Sequence, residues 1–308
     1  MTNHRRIEVL LSAFNGERYI AEQIESIRLQ TAGNLVLRIR DDGSTDSTPQ
    51  LLSRLAREHD WIEIERGENV GASESFFRLL ETASSDTAFA AFCDQDDWWH
   101  PDKLERAIKR LSELPTDAPA LYFSAIRRVS HAGVPLQQIP QDRYRPGLAN
   151  ALVQNIAQGC TMVLNRAAID LLNAARPDMK HVAMHDWWAY LVISACGQVI
   201  HDPVPTLDYR QHRDNLVGAK TGTKAWVDRI ARFRARGKTP LVRQAQELLD
   251  THSQNMPTSN RRLCEEFVAR AGSSRMLERL KYALRTPVYR QSCRDNRIMK
   301  ILMILGWR

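Results

Sequence analysis

Three carboxylates crowd into four residues at Asp94-Gln95-Asp96-Asp97, directly after the apolar run Ala88–Cys93. Anions this close repel one another unless a cation lies among them. Magnesium and manganese are hard cations that bind carboxylate oxygen and bridge to phosphate. A metal held here could neutralise a diphosphate leaving group as a Lewis acid. The alternative use is a helix cap, with Asp97 preceding Pro101 and Asp102 nearby, but one aspartate is enough for a cap. A second acidic run, Asp41-Asp42-Gly43-Ser44-Thr45-Asp46, reads by itself as a turn that caps a helix starting near Thr48. It has the flavour of an EF-hand, but the twelfth position counted from Asp41 is Leu52, so the ligating glutamate is missing. A polar pair, His185-Asp186, opens an apolar helix before Trp187-Trp188.

These residues need elements to position them. The first half alternates strand-like runs (Ile7–Ala13, Leu35–Arg40, Trp61–Glu65, Ala88–Cys93, Leu121–Arg127) with helical periodicity (Tyr19–Gln30, Thr48–Glu58, Ala72–Ala83, Pro101–Leu114). That alternation predicts an α/β domain around a mainly parallel sheet. Such sheets bind ligands at the C-terminal ends of their strands. Ser12–Asn15, Asp41–Asp46 and Asp94–Asp97 all fall at such ends. Further on, Gly159–Leu164 reads as a strand, and Arg166–Ala175 and His185–Cys196 as helices.

The chain has 308 residues, 43% hydrophobic and 26% charged, an ordinary globular composition. No apolar run approaches the roughly 18–20 residues that span a bilayer. The N-terminal apolar stretch is interrupted by Glu8, which favours a first strand over a signal peptide. The expected location is therefore the cytoplasm. Five cysteines at 93, 160, 196, 264 and 293 form no CxxC pair, so neither a zinc site nor a disulfide framework is indicated. The net charge of +7 is uneven. Residues 221–308 carry 19 Lys and Arg against 7 Asp and Glu, a balance of +12, which leaves −5 for the first 220. That asymmetry predicts a catalytic domain over 1–220 and a basic, mainly helical region over 221–308. The basic helices, Lys224–Lys238 and Arg275–Arg308, could lie on anionic lipid at the inner face of the cell membrane, or pack back on the catalytic domain. No nucleic-acid motif accompanies the charge.

Taken in order, LLSAFNGERYIAEQIESI, RDDGSTDST, ENVGASESF and FCDQDDWWHPDKLERA resemble a family 2 glycosyltransferase with the GT-A fold, a Rossmann-like mixed sheet flanked by helices. QNIAQGCTMVLNR, HDWWAYL and YRQHRDNLVG continue the likeness, which is similar to the rhamnosyltransferase-like branch of bacterial surface polysaccharide synthesis. It covers roughly residues 7–218. The resemblance implies that Ser12, Ala13, Phe14, Asn15 and Glu17 contact the base and ribose, and that Asp41 or Asp42 reads the base. It implies that Asp94 approaches the ribose and that Asp96 binds Mg2+ or Mn2+, with Asp97 as an extra carboxylate. It makes Asp186 the catalytic base, although this chain has His-Asp where many relatives carry Glu-Asp.

An inverting single displacement would follow, with Asp186 taking the acceptor hydroxyl's proton. The implied partners are a dTDP- or UDP-sugar donor and a glycan or lipid-linked acceptor. His212 reads as a metal ligand, a diphosphate contact or a structural residue. Arg210 could pair with phosphate or form a surface ion pair. Trp98 and Trp187 could line a sugar platform, with at least two of the four tryptophans at 98, 99, 187 and 188 expected in the core. Gly159-Cys160 is expected beside the donor sugar, with no nucleophilic role for Cys160. Two other readings compete: a nucleotidyltransferase, which would normally show a Gly-rich basic loop after the first strand, and a non-catalytic membrane-associated nucleotide-binding protein.

Overall fold

The computed structural model describes residues 5–212 and 239–307. In chain order the elements are β1 (Arg6–Ala13), α1 (Ile20–Arg28), β2 (Leu35–Asp41), α2 (Thr48–Glu58), β3 (Ile62–Arg66), α3 (Ala72–Glu81), β4 (Thr87–Cys93), β5 (Trp98–Trp99), α4 (Lys103–Leu111) and β6 (Ala120–Ser130). There follow α5 (Leu148–Ala151), β7 (Val163–Asn165), α6 (Arg166–Ala174), α7 (His185–Cys196), β8 (Gln198–Gln211) and helices Pro240–His252, Thr258–Glu266, Met276–Arg285 and Cys293–Ile304. The elements expected in the first half all form, with ends shifted by at most three residues. The segment Gly159–Leu164 differs. Its first residues make a 3-10 turn, because Thr161 N–H and Met162 N–H bond back to Gln158 and Gly159, and the strand starts only at Val163.

The chain divides into two compact units. The first holds the whole sheet, ordered β3-β2-β1-β4-β7-β6-β8-β5. Its β3, β2, β1 and β4 run parallel, β7 is antiparallel to both β4 and β6, and β8 runs parallel to β6. Strand β1 is apolar on both faces because both are covered, as in parallel sheets generally. Val9, Leu11, Leu37, Ile39 and Ala91 pack with Ile20, Ile24 and Ile27 of α1. Glu8, which breaks the apolar run, is fully buried and tolerated because Arg6 pairs with it at 3.0 Å. Parallel register brings Ala13 beside Asp41 and Leu11 beside Cys93, so the loops after β1, β2 and β4 share one rim.

The second unit comprises Tyr144–Ile156, Ala175–Cys196 and the described residues after 212. Helix α7 is apolar nearly all round and buried, with Trp188, Tyr190, Leu191 and Ile193 inside. Polar ties fix the C-terminal region to α5 and α7. Asn150 Nδ2 donates to the Tyr289 carbonyl at 3.0 Å, Arg290 Nε to the Val153 carbonyl at 3.0 Å, and Asn260 Nδ2 to the Ala195 carbonyl at 2.9 Å. One unit boundary, between residues 212 and 213, falls near the charge step, and α5 and α7 group with the basic region. The expected helix at Lys224–Lys238 lies outside the described residues. Among the described residues no helix is long and apolar enough to cross a membrane.

Candidate active site

The loop after β1 and the loop after β4 are joined by one side chain. Gln95 Oε1 accepts the Phe14 N–H at 2.9 Å, and its Nε2 donates to the Phe14 carbonyl at 3.0 Å. A Cβ on Gly16 would stand 2.4 Å from Gln95 Oε1, so glycine is what lets the amide approach. The loop after β2 is tied to the same place. Asn15 sits at φ 50°, a left-handed conformation that asparagine tolerates. Its Oδ1 accepts the Thr45 N–H at 2.8 Å, and its own N–H donates to Ser44 Oγ at 3.0 Å. Gly16 N–H donates to Thr48 Oγ1 at 2.8 Å, and Glu17 Oε2 accepts the Ser47 N–H at 2.9 Å. Burial disfavours ionised Asp46, but bonds from Thr48 and Glu17 outweigh it and hold this carboxyl below its ordinary range.

The residues expected at the nucleotide divide by geometry. Phe14, Asn15 and Glu17 are exposed at the rim. Ala13 is fully buried and offers only backbone, its carbonyl accepting the Asp42 N–H at 2.8 Å. Ser12 Oγ donates to Ser75 Oγ at 2.7 Å. The two adjacent aspartates differ. Asp42 is committed to the frame: Arg40 pairs with it, and it accepts Val70 N–H at 3.0 Å and Gly71 N–H at 2.9 Å, satisfying donors at the start of α3. Asp41 Oδ1 accepts the Ser44 N–H at 3.0 Å, its one side-chain hydrogen bond among the described residues.

The acidic loop after β4 holds two groupings. His212 Nε2 and Asp96 Oδ2 lie 2.7 Å apart, brought together because β8 ends beside the loop. The His212 ring also lies against Tyr19, with centroids 4.8 Å apart. Asp94, Asp97 and Cys160 place one ligand atom each within 4.8 Å of one another. Asp97 is 1% exposed; its Oδ1 accepts the Arg210 N–H at 3.2 Å, and the Cys160 thiol stands beside its carboxyl. Burial, then repulsion from Asp96 and Asp94, pushes the Asp97 carboxyl well above the usual carboxylate range. Burial and repulsion from Asp97 and Asp94 likewise push the Cys160 thiol up. The mutual repulsion of the crowded carboxylates and the imidazole beside Asp96 fit a divalent cation with oxygen and nitrogen ligands.

Lys103, also buried, carries its ammonium 4.6 Å from the centre of the Trp99 ring, with no hydrogen-bond partner on Nζ among the described residues. Burial lowers its pKa to about 8. Arg210 does not present its guanidinium to solvent: it pairs with Glu22 at 2.6 Å and covers the Tyr19 ring at 4.7 Å. Trp99 and Trp188 are core residues at 1% and 0% exposure. Trp98 is half-buried on β5, opposite Asp208 of β8. Gly159 and Cys160 are buried in the turn that precedes β7.

In the second unit, Asp186 lies in the first turn of α7 and accepts the Trp187 N–H at 2.6 Å. The half-buried Trp187 donates its indole N–H to the Ala151 carbonyl at 2.6 Å. Sequence reasoning missed Gln95, Tyr19 and Lys103. Gln95 stood in view as the spacer between two aspartates, and its contact 81 residues away leaves no local signal.

A mixed sheet of this order, flanked by helices and with an acidic loop at its rim, is a glycosyltransferase frame. The chain belongs to glycosyl transferase family 2, whose profile matches residues 8–172. It is 28% identical over 242 residues to dTDP-rhamnosyl transferase RfbG of Shigella flexneri, covering 73% of this chain and 79% of that one. Among solved structures it resembles S. aureus TarS 1-349 in complex with UDP-GlcNAc (TM-score 0.57, 15% identity, 91% of this chain and 79% of that one). It also resembles the mannosyltransferase PcManGT of Pyrobaculum calidifontis in complex with GDP-Man and Mn2+ (TM-score 0.58, 19% identity, 99% and 86%). The fold is GT-A and the protein is a glycosyltransferase.

Proposed function

We propose that this enzyme moves a sugar, with rhamnose the first candidate, from a nucleoside-diphosphate sugar to a hydroxyl of a glycan or lipid-linked acceptor in bacterial surface polysaccharide synthesis. The observation that carries the donor half is the 2.7 Å approach of His212 to Asp96 beside the Asp94, Asp97 and Cys160 cluster. RfbG is a dTDP-rhamnosyl transferase by name, which supports a dTDP donor; the UDP-GlcNAc and GDP-Man complexes of the two neighbours keep UDP- and GDP-sugars in the screen.

Asp41 is the better candidate to read the base, because Asp42 is engaged by Arg40 and α3. Phe14, Asn15 and Glu17 bound the nucleoside, with Ser12 and the Ala13 backbone behind them, and Gln95 holds their loop to the acidic one. Asp96 and His212 would hold Mg2+ or Mn2+, with Asp94 at the ribose and Asp97 behind. A cation bound there supplies positive charge against the departing diphosphate. Trp98, Trp187, Asp97 and the Gly159-Cys160 turn are the proposed sugar contacts; the buried Cys160 thiol serves by shape.

Asp186 would accept the acceptor hydroxyl's proton as that oxygen attacks the anomeric carbon from the face opposite the nucleotide, inverting the configuration. The Trp187 N–H orients that carboxylate. The enzyme would work at the cytoplasmic face of the membrane, held peripherally by its basic C-terminal region. The Asp186→Asn variant is expected to bind donor nucleotide normally while transfer to acceptor falls by about 10^3 or more, as removal of a general base predicts. Transfer at near wild-type rate would remove Asp186 from the mechanism.

A further inference from the structure

The last two helices carry an exposed apolar surface of unusual density. Among the described residues, seven of the thirteen exposed large hydrophobic side chains are Met276, Leu277, Leu284, Ile298, Ile301, Leu302 and Leu305. Spacing puts them on continuous faces. On helix Met276–Arg285, Leu277 and Leu284 are seven residues apart and 70% and 73% exposed, with exposed Lys281 between them. On helix Cys293–Ile304, Ile298, Ile301 and Leu302 stand at i, i+3 and i+4, and Leu305 just past its end at i+7 continues the stripe. Met299 and Met303 form the buried stripe of the same helix. The two helices are held together by Arg279, which is buried and donates to the carbonyls of Ile304, Ser273 and Ser274.

The charge around these faces has one sign. Residues 275–307 contain eight Lys and Arg against two Asp and Glu. Arg279 is buried, but Arg275, Lys281, Arg285, Arg294 and Arg297 are exposed. Leucine and isoleucine on a face bordered by long basic side chains is the pattern of a helix lying in a lipid headgroup layer. The aliphatic carbons enter the acyl boundary while guanidinium and ammonium groups reach the phosphates. A second copy of the same face would set like charges against each other, so the surface complements an anionic bilayer better than itself.

We propose that the exposed face of helices Met276–Arg285 and Cys293–Ile304 is a docking surface for an anionic lipid bilayer, with Leu277, Leu284, Ile301 and Leu305 as the inserted side chains. This deepens the peripheral membrane contact given above and rests on the helices alone; it does not require the transfer reaction. The test uses the full-length protein and sedimentation with two kinds of vesicle, phosphatidylcholine alone and phosphatidylcholine with one-third phosphatidylglycerol. The protein is expected to pellet with the anionic vesicles and to stay in solution with the neutral ones. Raising the salt concentration is expected to release it. Leu277→Glu/Leu284→Glu is expected to lower partitioning by about tenfold or more. Both positions are exposed, so folding is retained, and circular dichroism with nucleotide titration on the same sample checks that and reads the donor site separately.

Absence of pelleting with anionic vesicles, or equal pelleting with both kinds, overturns the proposal. So does a concentration-dependent dimer in solution that the same double variant abolishes without any change in vesicle binding.

Discussion

At the residue scale, a few side chains join three loops. Gln95 makes two hydrogen bonds to the Phe14 backbone, and Gly16 leaves room for it. Each such bond contributes roughly 0.5–1.5 kcal/mol net, and this pair is partly in solvent. Gln95→Ala is therefore expected to destabilise the fold by about 1–2 kcal/mol in urea unfolding. Gly16→Ala is expected to do comparable damage alone by pushing the amide away, but little more in the Gln95→Ala background. Additive losses in that cycle would show that Gly16 serves some other purpose. Asp94, Asp96 and His212 stood out in the sequence as candidates because their chemistry is carried by residue type. Gln95 did not, because an amide that clamps a distant backbone looks like any polar spacer. The different bonding of Asp41 and Asp42 was also invisible, since it depends on Arg40 and on the start of α3, neither of which marks the aspartates locally.

At the element scale, α4 begins with a buried cation. Lys103 stands in the first turn, where the positive end of the helix dipole disfavours a cation. Burial adds to that and lowers its pKa from 10.5 to about 8. The folded state thus holds fewer protons than the unfolded state between those two values, so stability rises with pH across that window. At neutral pH the lysine is charged in both states and its burial penalty is fully present. Relative to a Lys103→Met variant, the wild type is expected to gain about 2 kcal/mol between pH 7 and 9.5, read by urea unfolding of both proteins at each pH. A pH-independent difference would mean that Lys103 titrates normally. Strands and helices of the first half were legible because their apolar periods are strong. Gly159–Leu164 was not: an apolar GCTMVL run carries no mark that its first three residues satisfy their backbone bonds in a turn. The two-residue strand Trp98–Trp99 is likewise defined only by its pairing with β8.

At the scale of the whole molecule, the charge step near residue 220 pointed to a separate basic region. Packing groups the described part of that region with α5 and α7, through Asn150, Arg290 and Asn260. Net charge reports what a surface attracts and says nothing about which helices share a core. The family was legible because seven short motifs occur in order, and its profile covers residues 8–172. The metal-dependent nucleotide site proposed at the loop after β4, with His212, is open to calorimetric titration of the purified protein with UDP, dTDP and GDP, each with Mn2+ and with a chelator. The predicted result is saturable binding of at least one nucleotide with Mn2+, weakened by about tenfold or more with the chelator and equally weakened in Asp96→Asn. Binding that is indifferent to metal and to Asp96, or no binding of any of the three, would contradict it.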